Sequence, residues 1–225
     1  MLKDFLSLVF PRTCVISQVP LAKGEQSISI QTIISLPRFN LNEENTNLVR
    51  RVYSFAPVNH AWAYYKFSKQ GKVQKLLHAL KYQNHPEIGE IVGKWFGHSL
   101  KENAHITGVD LIIPIPMHKK KQKKRGYNQC DYIMWGLSEI LSIPWSTQIL
   151  VKTENTESQT RKNRMERYRN SYRSYAIRKN ADIQGKHILL VDDVVTTGAT
   201  LGACANLLLA GGCRAVSVAA IASPE

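Results

Sequence analysis

The chain has 225 residues, of which 44% are hydrophobic and 21% are charged, a balance typical of folded globular proteins. This length suits one sizeable α/β domain with a smaller appendage rather than two large domains. No apolar run approaches the ~18 residues of a membrane-spanning helix, so we expect no membrane insertion. The net charge of +13 suits an anionic partner, either a nucleic acid or the phosphates of a small ligand, with a solvated basic surface as the alternative.

Residues 1–65 show no sustained hydrophobic period and are predicted to form a small, irregular N-terminal module. Within it, Met1 to Phe10 have the pattern of an amphipathic helix, and their apolar stretch is too short for a secretory signal. We therefore expect a cytoplasmic protein. The cysteines lack the paired spacing of disulfide or zinc frameworks. Reduced, mostly buried thiols are expected at Cys14, Cys130, Cys204 and Cys213.

Residues 66–225 carry the regular patterns of a larger domain. Apolar residues after Gly71 recur at helical spacing, which predicts a helix that ends near His85. A second amphipathic helix is predicted from Ile88 to Glu102. The apolar run from Asp110 to Pro116 is typical of a strand buried on both faces of a parallel sheet.

A basic loop, His118 to Arg125, is predicted next, followed by a helix from Asn128 to Leu141 and a short strand within Pro144 to Val151. The polar stretch from Lys152 to Arg173 has no clear apolar face and is predicted to be a mobile loop or an exposed hairpin. Residues 117–180 contain fifteen Lys and Arg residues against five Asp and Glu residues. Most of the net positive charge therefore lies in this region.

The C-terminal part predicts a second buried strand from Lys186 to Val195, a helix from Ala199 to Ala210 and a further strand from Ala215 to Ile221. Alternating β and α units indicate an α/β fold with a doubly wound, mostly parallel sheet. Ligands of such sheets bind beyond the carboxyl ends of the strands. The loops that follow the buried strands are therefore the candidate site.

The segment from Ile188 to Thr200, ILLVDDVVTTGAT, places two acids at the end of a buried strand and a Thr- and Gly-rich turn before a helix. Backbone N–H groups at a helix start, with hydroxyl donors and a glycine that allows close approach, suit a phosphate monoester. Carboxylates can accept hydrogen bonds from a vicinal diol and can orient a hydrated Mg²⁺. Diol and phosphate together indicate ribose 5-phosphate. The predicted ligand-binding residues are Asp192, Asp193, Thr196, Thr197, Gly198, Ala199 and Thr200.

A simple helix cap is the alternative explanation of this cluster, because Thr and Asp are good cap residues. One cap needs one such residue, whereas the segment has two acids, three threonines and a glycine. The GxxxxGK and GxGxxG patterns of other phosphate loops are absent from it. We therefore favour phosphoribose binding.

Ile188 to Thr200 resembles, in essentially every position, the phosphoribosyl-pyrophosphate motif of type I phosphoribosyltransferases. Together with PIPMHKKKQKKRGYNQ (Pro114 to Gln129) and TESQTRKNRMERYRNSY (Thr156 to Tyr172), it resembles three segments of the ComF family of competence-type proteins. The resemblance covers Gly71 to Ala222, and only the phosphoribosyl motif is individually diagnostic. It implies the type I phosphoribosyltransferase fold and binding of phosphoribosyl pyrophosphate with Mg²⁺.

The resemblance also gives the basic segments a role. Lys124, Arg125 and Gly126 would face the pyrophosphate, which needs cations and backbone donors. A flexible hood that closes over the site would contain Gln159, Arg164, Arg167 and Asn170, with a solvated polar loop as the alternative. An enzyme of this type would transfer the phosphoribosyl group to a nitrogen acceptor and release pyrophosphate, with the two acids as its catalytic residues.

ComF-family proteins carry an N-terminal zinc ribbon with paired CxxC cysteines, and this sequence departs from that pattern. The fragment PRTCVISQ keeps Cys14 but has Ser17 where a second cysteine would stand, and no further cysteine pair follows. We therefore expect no zinc, with the ribbon lost or replaced by apolar packing.

A second hypothesis is a non-catalytic module that senses a phosphoribosyl ligand or nucleotide. Its basic loops would bind single-stranded DNA or the DNA-uptake machinery. Four aromatic residues near the basic region are candidates for base stacking, although their spacing is also typical of core residues: Tyr127, Tyr132, Trp135 and Trp145. A ribose-phosphate pyrophosphokinase would need a second similar domain, for which the chain is too short. The sequence leaves open the acceptor and the oligomeric state, a homo-oligomer included.

Overall fold

The structure, a computed structural model, describes residues 11–41, 46–102, 106–153 and 164–225. Its strands are β1 (Ala61–Lys66), β2 (Leu111–Pro114), β3 (Leu150–Lys152), β4 (Tyr175–Ile177), β5 (His187–Val194) and β6 (Ala215–Ser223). Four of them form a parallel sheet in the order β1-β6-β5-β2, and β3 pairs with β4 in an antiparallel ribbon. The predicted helix at Met1 to Phe10 lies outside the described residues.

Helices cover both faces of the parallel sheet. The helices of the described residues are α1 (Ile30–Ser35), α2 (Thr46–Tyr53), α3 (Lys72–Tyr82), α4 (Glu87–Lys101), α5 (Lys119–Arg125), α6 (Gln129–Leu141), α7 (Arg164–Ser174) and α8 (Ala199–Ala210). None of the described helices is long and apolar enough to cross a membrane. The predicted α/β fold with a parallel sheet is confirmed.

β5 runs through the middle of the core, which explains its uninterrupted apolar sequence. Leu189 and Val191 pack with residues of α3, α4 and α6 on one face of the sheet. Ile188 and Leu190 pack with residues of α2 and α8 on the other face. Because both faces are covered, apolar side chains are required at successive positions rather than at alternate ones.

Three parts of the chain differ from the elements predicted for them. β1 was not predicted, although its sequence AWAYYK is almost fully buried. The predicted loop from His118 to Arg125 contains helix α5, because His118 caps it, Lys, Gln and Arg are good helix formers, and Gly126 ends it at φ +91°. Within the predicted mobile stretch, residues 164–174 form α7, which packs on α8.

The boundary predicted between residues 65 and 66 falls inside β1. This strand pairs with β6 from Ala61 to Lys66, so the last part of the predicted N-terminal module belongs to the main sheet. Earlier residues of the module, such as Ile16 and Ile33, pack into the same apolar cluster as α3 and α4. The described N-terminal residues therefore share the core of the larger domain.

Glycines allow α4 and α6 to approach each other at backbone distance. A Cβ atom at Gly136 would lie 2.8 Å from the backbone nitrogen of Lys94 and still closer to the backbone carbonyl oxygen of Glu90. On the other helix, a Cβ atom at Gly93 would overlap the Ile133 carbonyl oxygen. This contact fixes α6, whose N-terminal end carries residues of the candidate site.

We expect Gly136→Ala to destabilise the protein. The added methyl group would meet backbone atoms that cannot rotate away, and this outweighs the ~1 kcal/mol that alanine gains in helix propensity. The expected net loss is about 1–3 kcal/mol of unfolding free energy, measured by urea denaturation. Lys101→Ala, at an exposed position of α4, is the control and should change stability by less than about 0.5 kcal/mol. Equal stabilities of the two variants would contradict the close packing.

Candidate functional site

The two adjacent acids at the carboxyl end of β5 have different surroundings. Asp193 is buried, and its Oδ1 atom accepts a hydrogen bond from Lys81 Nζ at 2.9 Å. Its Oδ2 atom accepts a hydrogen bond from Gln129 Nε2. Burial opposes the charge of Lys81, but the attraction of Asp193 outweighs burial and raises the Lys81 pKa. Asp193 is thus a carboxylate paired inside the fold.

Asp192 is the less constrained of the two acids. Its Oδ1 atom accepts from the Asp193 backbone N–H at 2.8 Å and lies 3.6 Å from Cys130 Sγ. Burial and the negative charge of Asp193 raise the Asp192 pKa to about 7. A cation or hydrogen-bond donor placed beside Asp192 would favour its charged form and lower this pKa.

Ligand atoms of Cys130, Asp192 and Asp193 lie within 4.8 Å of one another, which makes this group a candidate for holding a metal ion. Burial, and the charges of the two acids, raise the pKa of the Cys130 thiol well above its ordinary value, so it stays protonated. Both Asp193 oxygens already have partners. Carboxylate oxygen is the donor type that Mg²⁺ prefers, so Asp192 is the residue that fits this ion best.

The predicted phosphate turn follows β5 and begins α8. A small cleft is lined by Asp192 and by residues 194–201, which include all five predicted phosphate ligands. Gly198 takes φ +79°, a conformation that favours glycine, and a Cβ atom there would lie 2.6 Å from the Arg51 carbonyl oxygen. The structure therefore brings Asp192 and the Thr-rich turn together, with the backbone of α2 against the turn.

α7 packs against α8 beside this turn. Tyr168 of α7 stacks on Phe55 with ring centroids 4.9 Å apart, and Asn206 Nδ2 donates to both Tyr168 Oη and the Phe55 carbonyl oxygen. Ser171 Oγ lies 3.5 Å from Thr200 Oγ1. A part of the predicted hood thus contacts a predicted phosphate ligand directly.

The other predicted hood residues are less well defined. Gln159 lies outside the described residues, and Arg164 begins α7, with its side chain outside the described part of the chain. Arg167 and Asn170 are half-buried on α7. The structure places these two residues on a helix docked against α8 rather than in an open loop.

The predicted pyrophosphate residues lie at the end of α5. Lys124 is exposed, and Gly126 is the left-handed residue that ends the helix. Arg125 donates to Gln129 Oε1, and its guanidinium lies 5.3 Å from the centroid of the Tyr82 ring. Because Gln129 also donates to Asp193, Arg125 is linked to the acids of β5 through one side chain.

Sequence reasoning missed several residues near the site. A polar cleft beside β2 is lined by Lys119, Lys152 and Arg178, among other residues. Lys152 Nζ donates to Tyr175 Oη at 3.1 Å, and burial lowers the Lys152 pKa. Lys81 was also missed, since it is one of several lysines on α3 and only the fold shows which of them reaches an acid.

Comparison with known proteins shows what this chain is similar to. Residues 136–225 match the family described as "Phosphoribosyl transferase domain". The chain is 33% identical over 146 residues to the DNA utilization protein YhgH of Escherichia coli (strain K12), covering 64% of this chain and 63% of that protein. It is 31% identical over 149 residues to Competence protein F of Haemophilus influenzae, covering 64% of each. The predicted resemblance to the ComF family is confirmed.

The match of this ComF-like chain is partial. The chain spans less than two thirds of the length of these relatives. Among solved structures, adenine phosphoribosyl transferase from Trypanosoma brucei, in complex with AMP, pyrophosphate and ribose-5-phosphate, is similar with a TM-score of 0.42 and 15% identity, covering 71% of both chains.

We expect Lys81→Met to destabilise the ComF-like chain, because it would leave the Asp193 carboxylate buried without a counter-charge. The expected loss of unfolding free energy is about 3 kcal/mol, measured by urea denaturation. Adding Asp193→Asn should recover part of that loss. Lys186→Met removes an exposed ion pair with Asp182 and should cost less than about 1 kcal/mol. A Lys81 variant as stable as this control would contradict the paired state of Asp193.

Proposed function

We propose that this ComF-like chain binds phosphoribosyl pyrophosphate with Mg²⁺ and transfers the phosphoribosyl group to an acceptor, with release of pyrophosphate. The observation that carries the proposal is the position of Asp192 beside the turn of residues 196–200 at the start of α8. Backbone N–H groups and hydroxyls at a helix start suit the 5-phosphate, and an adjacent carboxylate suits the ribose diol. The names of the relatives are compatible with a role of this site in DNA uptake.

The two acids have separate roles in this proposal. Asp192 would accept hydrogen bonds from the ribose hydroxyls, while Asp193, held by Lys81 and Gln129, would fix the end of β5. Asp192 is also the residue that would hold Mg²⁺, an ion that neutralises charge on a departing pyrophosphate. We keep both acids in the site, but only Asp192 as a direct ligand.

Cations would stabilise the leaving group. In the proposed reaction, the bond between ribose C1 and the pyrophosphate oxygen breaks, and a bond from C1 to a nitrogen of the acceptor forms. Lys124, Arg125 and Gly126 remain the predicted pyrophosphate residues, and Lys152 and Arg178 add charge in the neighbouring cleft. α7 would exclude water, since it already packs beside the turn. A cytoplasmic location, where such a ligand would be available, is part of the proposal.

The first test is isothermal titration calorimetry with phosphoribosyl pyrophosphate and Mg²⁺. We expect Asp192→Asn to weaken binding by roughly tenfold or more, equivalent to about 1.4 kcal/mol or more. The reason is that a neutral amide binds Mg²⁺ poorly and cannot accept two charge-assisted hydrogen bonds. Asp182→Asn, an exposed acid paired with Lys186, is the matched control and should bind as the wild type does. Pyrophosphate release with added amines or bases, followed in parallel, tests transfer.

Failure of the wild type to bind phosphoribosyl pyrophosphate would refute the proposal. Binding without release of pyrophosphate with any acceptor tried would favour a sensing module over an enzyme.

A second function, binding of single-stranded DNA, has a specific observation in its favour. Four aromatic rings form a continuous series of contacts. The ring centroids of Tyr127 and Tyr132 are 5.6 Å apart, those of Tyr132 and Trp135 are 4.6 Å apart, and those of Trp135 and Trp145 are 6.2 Å apart. Tyr127 is buried, whereas Trp135 and Trp145 are 37% and 46% exposed. Exposed rings at the end of such a series, in a chain with the basic helix α5, suit stacking on unpaired bases.

We expect the double variant Trp135→Ala/Trp145→Ala to bind an oligothymidine more weakly than the wild type, by about 1–3 kcal/mol for each base that it no longer stacks. Fluorescence anisotropy at two salt concentrations would measure the affinity and its salt dependence. Tyr53→Ala, which removes an exposed ring from α2, is the control. An equal loss of affinity for the oligothymidine in the double variant and in Tyr53→Ala would argue against a defined stacking surface.

A further inference from the structure

Four small side chains of the N-terminal region meet at one buried point. They form two pairs with the same spacing, Cys14 with Ser17 and Ser29 with Thr32. Thr32 Oγ1 lies 2.8 Å from the hydroxyl oxygens of both Ser17 and Ser29, and 3.4 Å from Cys14 Sγ. We call these four residues the hydroxyl cluster.

Two local structures bring the pairs together. The first pair lies in a tight hairpin, in which the Cys14 N–H donates to the Val19 carbonyl and the Gln18 N–H donates to the Cys14 carbonyl, both at 2.8 Å. Gln18 makes the turn at φ +62°. The second pair starts α1, where Ser29 Oγ accepts from the Thr32 N–H at 3.2 Å. Each pair is therefore presented by a loop with a fixed backbone.

The hydrogen bonds of the cluster close without any further group. Thr32 Oγ1 can accept from the Cys14 thiol and the Ser29 hydroxyl, and its own proton is then available for Ser17 Oγ. Among the described residues, the buried side-chain atoms without a partner belong to Arg38, Tyr64 and Tyr65, none of which is in the cluster. The cluster is complete as it stands.

The donor set does not fit zinc. Two pairs of residues, each with two intervening positions, have the spacing of tetrahedral zinc sites, whose ligands are thiolates and imidazoles. The hydroxyl cluster has one thiol and three neutral hydroxyls. A single thiolate cannot replace the four ligands of a structural site.

We infer that the hydroxyl cluster stands in the place of a tetrahedral metal site, keeps its geometry, and holds the N-terminal loops by hydrogen bonds without an ion. This goes beyond the loss of zinc that the missing cysteine predicts. The second pair, Ser29 and Thr32, contains no cysteine and therefore cannot be recognised from cysteine spacing in the sequence. Apolar packing alone, the expected replacement, does not describe the centre of the region.

The surroundings explain why an ion is dispensable. Ile16, Ile28 and Ile33 extend from the cluster into the apolar core that contains α3 and α4. Ser27 Oγ donates to Glu87 Oε1, which also lies 2.9 Å from His85 Nδ1, so polar contacts tie the loop to the start of α4. The N-terminal loops are therefore supported by the main domain, whereas an isolated ribbon would depend on its ion.

The test is to restore the thiols. We expect the purified wild type to contain no stoichiometric zinc by elemental analysis, and its urea midpoint to be unchanged by a chelator. The variant Ser17→Cys/Ser29→Cys/Thr32→Cys should bind one Co²⁺ per chain, with the absorption of a tetrahedral site and thiolate-to-metal charge-transfer bands. Its urea midpoint should rise when Co²⁺ or Zn²⁺ is added.

The matched control adds Cys14→Ser to this variant, and it should lose one thiolate's share of the charge-transfer absorption. Stoichiometric zinc in the wild type would overturn the inference. So would a triple variant that binds no Co²⁺, whether it folds or not, because the four positions would then lack the geometry of a metal site. These outcomes do not depend on whether phosphoribosyl pyrophosphate binds.

Discussion

One buried charge, the Asp193 carboxylate, organises the candidate site. A carboxylate at this depth is tolerated only with a counter-charge and hydrogen bonds, which Lys81 and Gln129 supply. These partners come from α3 and α6, so the pair fixes two helices relative to the end of β5. The neighbouring residue, Asp192, lines the cleft beside the Thr-rich turn with a raised pKa, where a ligand can reach it.

Segments far apart in the sequence meet around the start of α8. α2 approaches from the N-terminal region and contacts Gly198, while α7 approaches from the basic region and contacts Thr200. Phe55 and Tyr168 join the two segments by ring stacking. The conformation of the phosphate turn therefore depends on both segments, although neither contains part of the phosphoribosyl motif.

The sequence was sufficient for elements whose burial is uniform or whose period is regular. The boundaries of α8 match those predicted, and β5 and β6 differ from theirs by one or two residues. β1 was missed because two tyrosines, a tryptophan and a lysine interrupt the aliphatic pattern that identifies a central strand. α5 and α7 were missed because highly charged segments have no clear apolar face. The caps His118 and Gly126 bound α5, whereas α7 is supported by its packing on α8.

The sequence was sufficient to predict which residues line the candidate site, but not which side chains pair with its two acids. The acids and the Thr-rich turn stand side by side in the sequence, and the fold keeps them adjacent. That one acid is engaged by Lys81 depends on a contact across 112 positions, which no local pattern encodes. In the same way, the hydroxyl cluster is recognisable only once two loops have been folded against each other.

Arg51 connects the phosphate turn to the last residues of the chain. Its carbonyl oxygen faces Gly198, and its guanidinium donates to Ser223 Oγ at 2.9 Å and to the carbonyl oxygens of Pro224 and Glu225 at 2.7 Å. A purification tag fused directly after Glu225 would therefore lie next to the hydrogen bonds that hold Arg51, the residue that rests against the turn. For ligand-binding work, a tag at that end needs a spacer or should be cleaved. Otherwise a change in affinity caused by disturbed Arg51 hydrogen bonds would be attributed to the site itself.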